Sequence, residues 1–159
     1  MKLMIKFNGR YREASPYLVR EAAARYALRD INRTPTVLDS PSRTSALLQE
    51  VLKDREYEVF CCLFLDNRHR LIDFVELFRG TVDGASVHPR EVAKEALARN
   101  AAAVIIAHNH PSGVAEPSQA DELITRRLRD ALALLEIRLI DHFIVAGSST
   151  VSLAEKGLL

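Results

Sequence analysis

The chain has 159 residues, 48% of them hydrophobic, and its 22 basic against 21 acidic side chains leave a net charge of +1. So many apolar residues with so little net charge exclude a wholly disordered chain, and the charge balance excludes a strongly basic nucleic-acid binder, though not a local basic patch. No apolar run approaches the ~20 residues of a membrane span, and the opening MKLMIKFNGR lacks the apolar core of a secretory signal, so one compact cytoplasmic domain with a small appendage is expected.

Met1 to Phe7 alternates loosely and predicts a short strand stopped at Asn8-Gly9. Ser15-Pro16 is an N-cap followed by proline at the first helical position, and Leu18, Ala22, Ala23, Tyr26 and Ala27 line one side of the helix it opens. Asn32 to Thr44 (NRTPTVLDSPSRT) reads as a linker, so the expected division is 1–43 as an N-terminal strand-helix extension with linker and 44–159 as the main domain. Ser45 to Lys53 is a short helix, Glu58 to Leu65 (EVFCCLFL) a buried strand, and Arg70 to Phe78 its hairpin partner. Cys61 and Cys62 are neighbours in that strand and point to opposite faces, which predicts two reduced core thiols. Pro89 opens a helix through Arg99, and Ala102 to Ala107 (AAVIIA) has the unbroken apolarity of a central strand covered on both faces. A long amphipathic helix over Ser118 to Glu136 and strands over Ile137 to Val145 and Thr150 to Leu153 complete a mixed α/β order. Neither G-x-G-x-x-G nor a Walker A loop is present to anchor a nucleotide.

The chemistry concentrates at His108-Asn109-His110-Pro111-Ser112-Gly113 and Pro117-Ser118-Gln119-Ala120-Asp121. Two histidines one residue apart at a strand end project to the same side and can share a metal. Asp121, in the first turn of the next helix, can face back toward them, and two imidazoles with one carboxylate are a common set for catalytic zinc. The bland reading is that Ser118-x-x-Asp121 caps the helix and that His-x-His is two polar loop residues; the two readings are compatible, because a capping acid can also bind metal.

His108-x-His110-x7-Ser118-x2-Asp121 resembles the JAMM (MPN+) metalloprotease signature. The segments His88-Pro89-Arg90-Glu91-Val92, Ala107 to Gly113, Leu139-Ile140-Asp141-His142 and Glu155-Lys156-Gly157-Leu158-Leu159 narrow the likeness to the RadC family of bacterial JAMM-domain proteins, from about Thr44 to the C-terminus. The resemblance implies a cytidine-deaminase-like JAMM fold, a mixed sheet sandwiched by helices. It makes His108, His110 and Asp121 the zinc ligands, gives Ser118 a hydrogen bond to the reacting water or the oxyanion, and makes Glu58 the general base. Zinc lowers the pKa of its water toward ~7 and a nearby carboxylate takes the proton, so the set is chemically coherent. Glu76 and Glu91 are weaker alternatives for the base. His88 and His142 are expected in structural roles, and the basic stretch Arg126, Arg127 and Arg129 as a solvated helix face.

The function implied is zinc-dependent hydrolysis of a peptide or isopeptide bond in an unidentified protein or peptide. The alternative is a non-catalytic DNA-repair accessory module on the same fold. The letters HNH at 108–110 do not make a nuclease, since that name describes residues spread over a ββα-metal unit, and a zinc deaminase would need His-x-Glu with a later Pro-Cys-x-x-Cys. Longer RadC-like chains carry a helix-hairpin-helix region, and no such pattern precedes Thr44, so only weak, strongly salt-dependent DNA binding is expected. Tight binding at physiological salt in a fluorescence-anisotropy titration would promote the accessory-module reading.

Overall fold

The computed structural model describes residues 3–7, 9–80 and 86–159; Met1, Lys2 and Asn8 of the expected first strand and its turn lie outside them. A small hairpin comes first, with β1 (Met4–Phe7) antiparallel to β2 (Arg10–Glu13). Helix α1 (Pro16–Ile31) follows, capped by Ser15 as its sequence predicts, and then α2 (Pro41–Leu52). The main body runs β3 (Val59–Leu65), β4 (Leu71–Arg79), α3 (Pro89–Ala98), β5 (Ala103–Asn109), α4 (Gln119–Ala133), β6 (Arg138–Ala146) and β7 (Ser149–Ser152).

Five of these strands form one sheet in the order β4-β3-β5-β6-β7, in which β5 and β6 are parallel and the other pairs antiparallel. Every residue of β3 and β5 is buried because both faces are covered. Cys61, Leu63, Leu65, Ile105 and Ala107 pack under α2 against Leu48, Val51 and Leu52. Phe60, Cys62, Phe64, Val104 and Ile106 point the other way and meet Val92 and Ala96 of α3 and Leu128 and Leu132 of α4. The two free cysteines therefore serve separate cores, and burial pushes both thiols well above their ordinary pKa.

Several boundaries differ from those the sequence predicts. Strand β2 (RYRE) is exposed throughout, so its pairing rests on hairpin backbone bonds and leaves no hydrophobic alternation to read. Helix α2 starts at Pro41, ahead of Ser45, because Ser40-Pro41 repeats the cap device of Ser15-Pro16: the Arg43 amide donates to Ser40 Oγ at 3.4 Å. Helix α4 stops before Glu136, whose φ of +58° turns the chain while the Ile137 amide closes on the Leu132 carbonyl at 3.0 Å. Strand β5 continues past Ala107 through His108 and Asn109, which pair with Ile144 and Val145 of β6.

The stretch between α1 and α2 lies along the outer edge of β4. The Leu71 amide donates to the Thr36 carbonyl (2.8 Å) and the Leu38 amide to the His69 carbonyl (2.9 Å). The Asn32 side chain receives the Phe74 amide (2.8 Å) and donates to the Phe74 carbonyl (3.3 Å), covering backbone that an edge strand leaves open. Ala27, Leu28 and Ile31 of α1 reach the core under α2. The Arg55 side chain, only 5% exposed, joins Glu21 of α1 to Glu76 of β4. Among the described residues no helix is long and apolar enough to cross a membrane.

Candidate metal centre

The site forms where β5 leaves the sheet. His108, at 2% exposure, sits on the face covered by α4, and His110 follows one residue beyond the strand end. Gly113 takes a φ of +82°, which lets the loop turn toward α4. Asp121 lies in the first turn of that helix, held by a capping box: the Asp121 amide donates to Ser118 Oγ (3.1 Å), and the Ser118 amide donates to Asp121 Oδ2 (2.8 Å). Ser118 Oγ donates to the same carboxylate oxygen at 2.6 Å. Cap and convergence coexist, so the helix terminus itself aims the carboxylate.

Among the described residues, His108, His110 and Asp121 are the one group of three histidine, cysteine or acidic side chains placed to share a metal ion. His108 Nε2 lies 2.9 Å from His110 Nε2 and 3.1 Å from Asp121 Oδ1, and His110 Nε2 is 3.6 Å from Asp121 Oδ2. Bonds of about 2.0–2.2 Å in a tetrahedral site separate ligand atoms by roughly 3.3–3.6 Å, so the two shorter contacts need to open by only a few tenths of an ångström to take an ion.

The hydrogen bonds behind the ring atoms decide the chemistry. His110 Nδ1 is 2.7 Å from the Val114 carbonyl, which only accepts, so Nδ1 carries the proton and Nε2 presents a lone pair. The Thr125 hydroxyl donates to the Asp121 carbonyl at 2.5 Å and therefore accepts from His142 Nδ1 at 2.6 Å. His142 Nε2 is then bare and accepts from His108 Nδ1 at 2.8 Å, which leaves the His108 Nε2 lone pair facing Asp121. Full burial pushes the His142 pKa well below the ordinary value, which suits a neutral link. Three acceptor atoms thus converge with no donor between them, an arrangement that demands a cation or a shared proton. Burial pushes Asp121 upward in pKa, yet the two imidazoles set against it, His108 first, hold its carboxyl far below the usual carboxylate range. The Asp121 carboxylate beside it outweighs burial at His110 and raises its pKa, favouring the protonated ring where no ion takes its place, with Glu58 contributing through its charge.

Glu58 directly precedes β3. Phe60 stands opposite His108 in the antiparallel register, so Glu58, two residues earlier, lies across from His110 on the same face. Glu58 and Gly80 line an open cleft with His110, Pro111 and Ser112. Glu76 is opposite Cys61 in the register, hence on the other face, and is bound to Arg55. Glu91 lies in the first turn of α3, with Arg90 and Lys94 at 3.6 and 3.7 Å. The fold therefore brings Glu58, Ser118, His108, His110 and Asp121 to one end of β5 and leaves Glu76 away from it.

A family model described as the RadC-like JAB domain matches residues 38–158. The chain belongs to the RadC family. It is 69% identical over 122 residues to a UPF0758 protein of Thioalkalivibrio sulfidiphilus, covering 77% of this chain and 54% of that protein. Over 132 residues it is 63% identical to a UPF0758 protein of Nitrosococcus oceani, covering 83% and 59%. Over 155 residues it is 54% identical to one of Methylibium petroleiphilum, covering 98% and 69%. The chain thus spans little more than half the length of the first two relatives, and those names assign no activity.

Within this RadC-like domain, sequence reasoning missed three contributors. Asn109, at 2% exposure, brackets Glu58: its Oδ1 receives the Val59 amide (2.8 Å) and its Nδ2 donates to the Tyr57 carbonyl (2.9 Å). Phe60 stacks on His108 with ring centroids 6.3 Å apart and meets His142 edge-on at 5.9 Å, an apolar wall behind the ligands. Thr125, fully buried one turn after Asp121, carries the only sequence signal of the three: a polar side chain on the apolar stripe of its helix. His88 occupies the N-cap position of α3 without a side-chain cap bond and rests against the Phe78 ring at 6.2 Å.

Proposed function

We propose that this RadC-family chain is a zinc-dependent hydrolase of peptide or isopeptide bonds, with His108, His110 and Asp121 as ligands. The observation that carries the reading is the convergence of two imidazole lone pairs and one carboxylate beside a cleft that also holds Glu58. Two nitrogens and one oxygen suit zinc and leave a fourth position open. The bound ion would supply Lewis-acid activation of a water. Glu58 accepts the proton from the attacking water and returns it to the leaving amine. Ser118, already bonded to the Asp121 carboxylate, is assigned a hydrogen bond to the reacting water or the oxyanion. Phe60 and His142 close the inner side, so substrate approaches over Glu58, Gly80 and Pro111.

The test is a library of peptides and lysine-linked isopeptides presented to zinc-loaded protein. Cleavage is expected, lost on chelation and restored by added zinc. A zinc-loaded protein that cleaves nothing in such a library would leave the non-catalytic accessory module as the reading for this fold.

A further inference from the structure

We infer that His142 and Thr125 are positioning residues that lock His108 into the one tautomer able to bind a metal. The inference rests on the metal-site reading above and gives the Leu139-to-His142 motif a role in the centre.

The relay is directional at every link. It begins at a main-chain carbonyl, that of Asp121, which has no donor capacity, so the Thr125 proton points to it (2.5 Å). That fixes His142 with its proton on Nδ1 toward Thr125 (2.6 Å), and so fixes His108 with its proton on Nδ1 toward His142 (2.8 Å). One ligand, Asp121, thereby sets the tautomer of another, His108, through residues of α4 and β6. Ring nitrogens of metal-binding histidines ordinarily donate to a carboxylate, carbonyl or water. Here the acceptor is a second imidazole, which can equally donate, so it acts as acceptor only while Thr125 holds it.

The backbone beneath His142 is anchored with matching care. The Asp141 carboxylate, 4% exposed, receives the His142 amide (2.7 Å), Ser152 Oγ (2.5 Å) and the Ala154 amide (3.0 Å), tying β6 to β7 and the turn after it. His142 and Thr125 are both fully buried, so no solvent competes for these bonds.

Thr125→Val keeps shape and removes both bonds. His142 is then free to protonate at Nε2, and His108 to carry its proton on Nε2 toward Asp121. Imidazole 15N NMR of the metal-free protein, at a pH about two units above the ordinary histidine value, reads this directly. Wild type is expected to show His108 protonated at Nδ1, and Thr125→Val a shift toward Nε2. In parallel, zinc affinity measured against a chromophoric chelator is expected to fall about 10- to 100-fold in Thr125→Val and in His142→Phe, with Thr125→Ser within a fewfold of wild type. Wild-type His108 found protonated at Nε2 overturns the inference by itself, even where a variant fails to fold. So does a folded Thr125→Val with unchanged tautomer and unchanged zinc affinity. A wild type that binds no zinc but shows the Nδ1 tautomer, shifted in Thr125→Val, would sink the metal reading while leaving the relay standing.

Discussion

Asp121→Ala and His110→Ala are each expected to leave the purified protein without zinc, against about one ion per chain in the wild type. Either change leaves two of three ligand atoms, and the remaining pair, at 2.9 Å or 3.1 Å, has no third group among the described residues to replace the loss. Asp121→Ala also removes half of the α4 capping box, which costs on the order of 1 kcal/mol. Against a typical domain stability of about 5–15 kcal/mol, the cap alone cannot unfold the chain, so zinc loss in a folded variant reports the site. Asp121→Asn separates the two roles further, because the amide oxygen can still receive the Ser118 amide while the negative charge is gone. Elemental analysis alongside circular dichroism makes the measurement. Full zinc in both alanine variants would reduce Ser118 and Asp121 to a helix cap and end the metal assignment.

Glu58→Gln is expected to keep both fold and zinc while hydrolysis falls by about 10²- to 10⁴-fold, the usual weight of a general base. The side chain is half-buried on the cleft wall and is no ligand, and its backbone is held independently of its carboxylate. The Gly80 amide donates to the Glu58 carbonyl at 2.8 Å, and Asn109 grips the peptides on either side. Glutamine preserves these contacts and the side-chain volume but cannot accept a proton from the attacking water. Steady-state rates with a substrate from the library decide it. Activity within a fewfold of wild type would place the base elsewhere, and Glu76 is a poor successor. It faces the opposite side of the sheet and is already paired with the buried Arg55. Zinc lost together with activity would instead give Glu58 a structural part in the centre.

Some of this protein was written in local sequence. EVFCCLFL and AAVIIA read as covered strands because unbroken apolarity has one use in a short segment flanked by turns, and Ser15-Pro16 reads as a helix start because cap and proline are both local devices. Strand period puts His108 and His110 on one side and the first helical turn lets Asp121 face back, so local sequence allowed the three to share a metal, and the likeness to the JAMM signature made them the ligand set. Strand β2 was not legible, because an exposed hairpin arm needs no apolar pattern.

What only the tertiary structure decided involves partners far apart in the chain. Glu58 was singled out over Glu76 by family likeness; the register of β3 against β5 and β4 supplies the physical reason, by putting the two acids on opposite faces. His142 had the sequence signature of any packed strand histidine. Its role exists only because β6 lies parallel beside β5 and α4 crosses above both, setting its ring between His108 and Thr125. Sequence spacing fixes directions within one element and its next turn. The protonation state of a ligand is fixed by what stands behind it, and that is set by which strands pair.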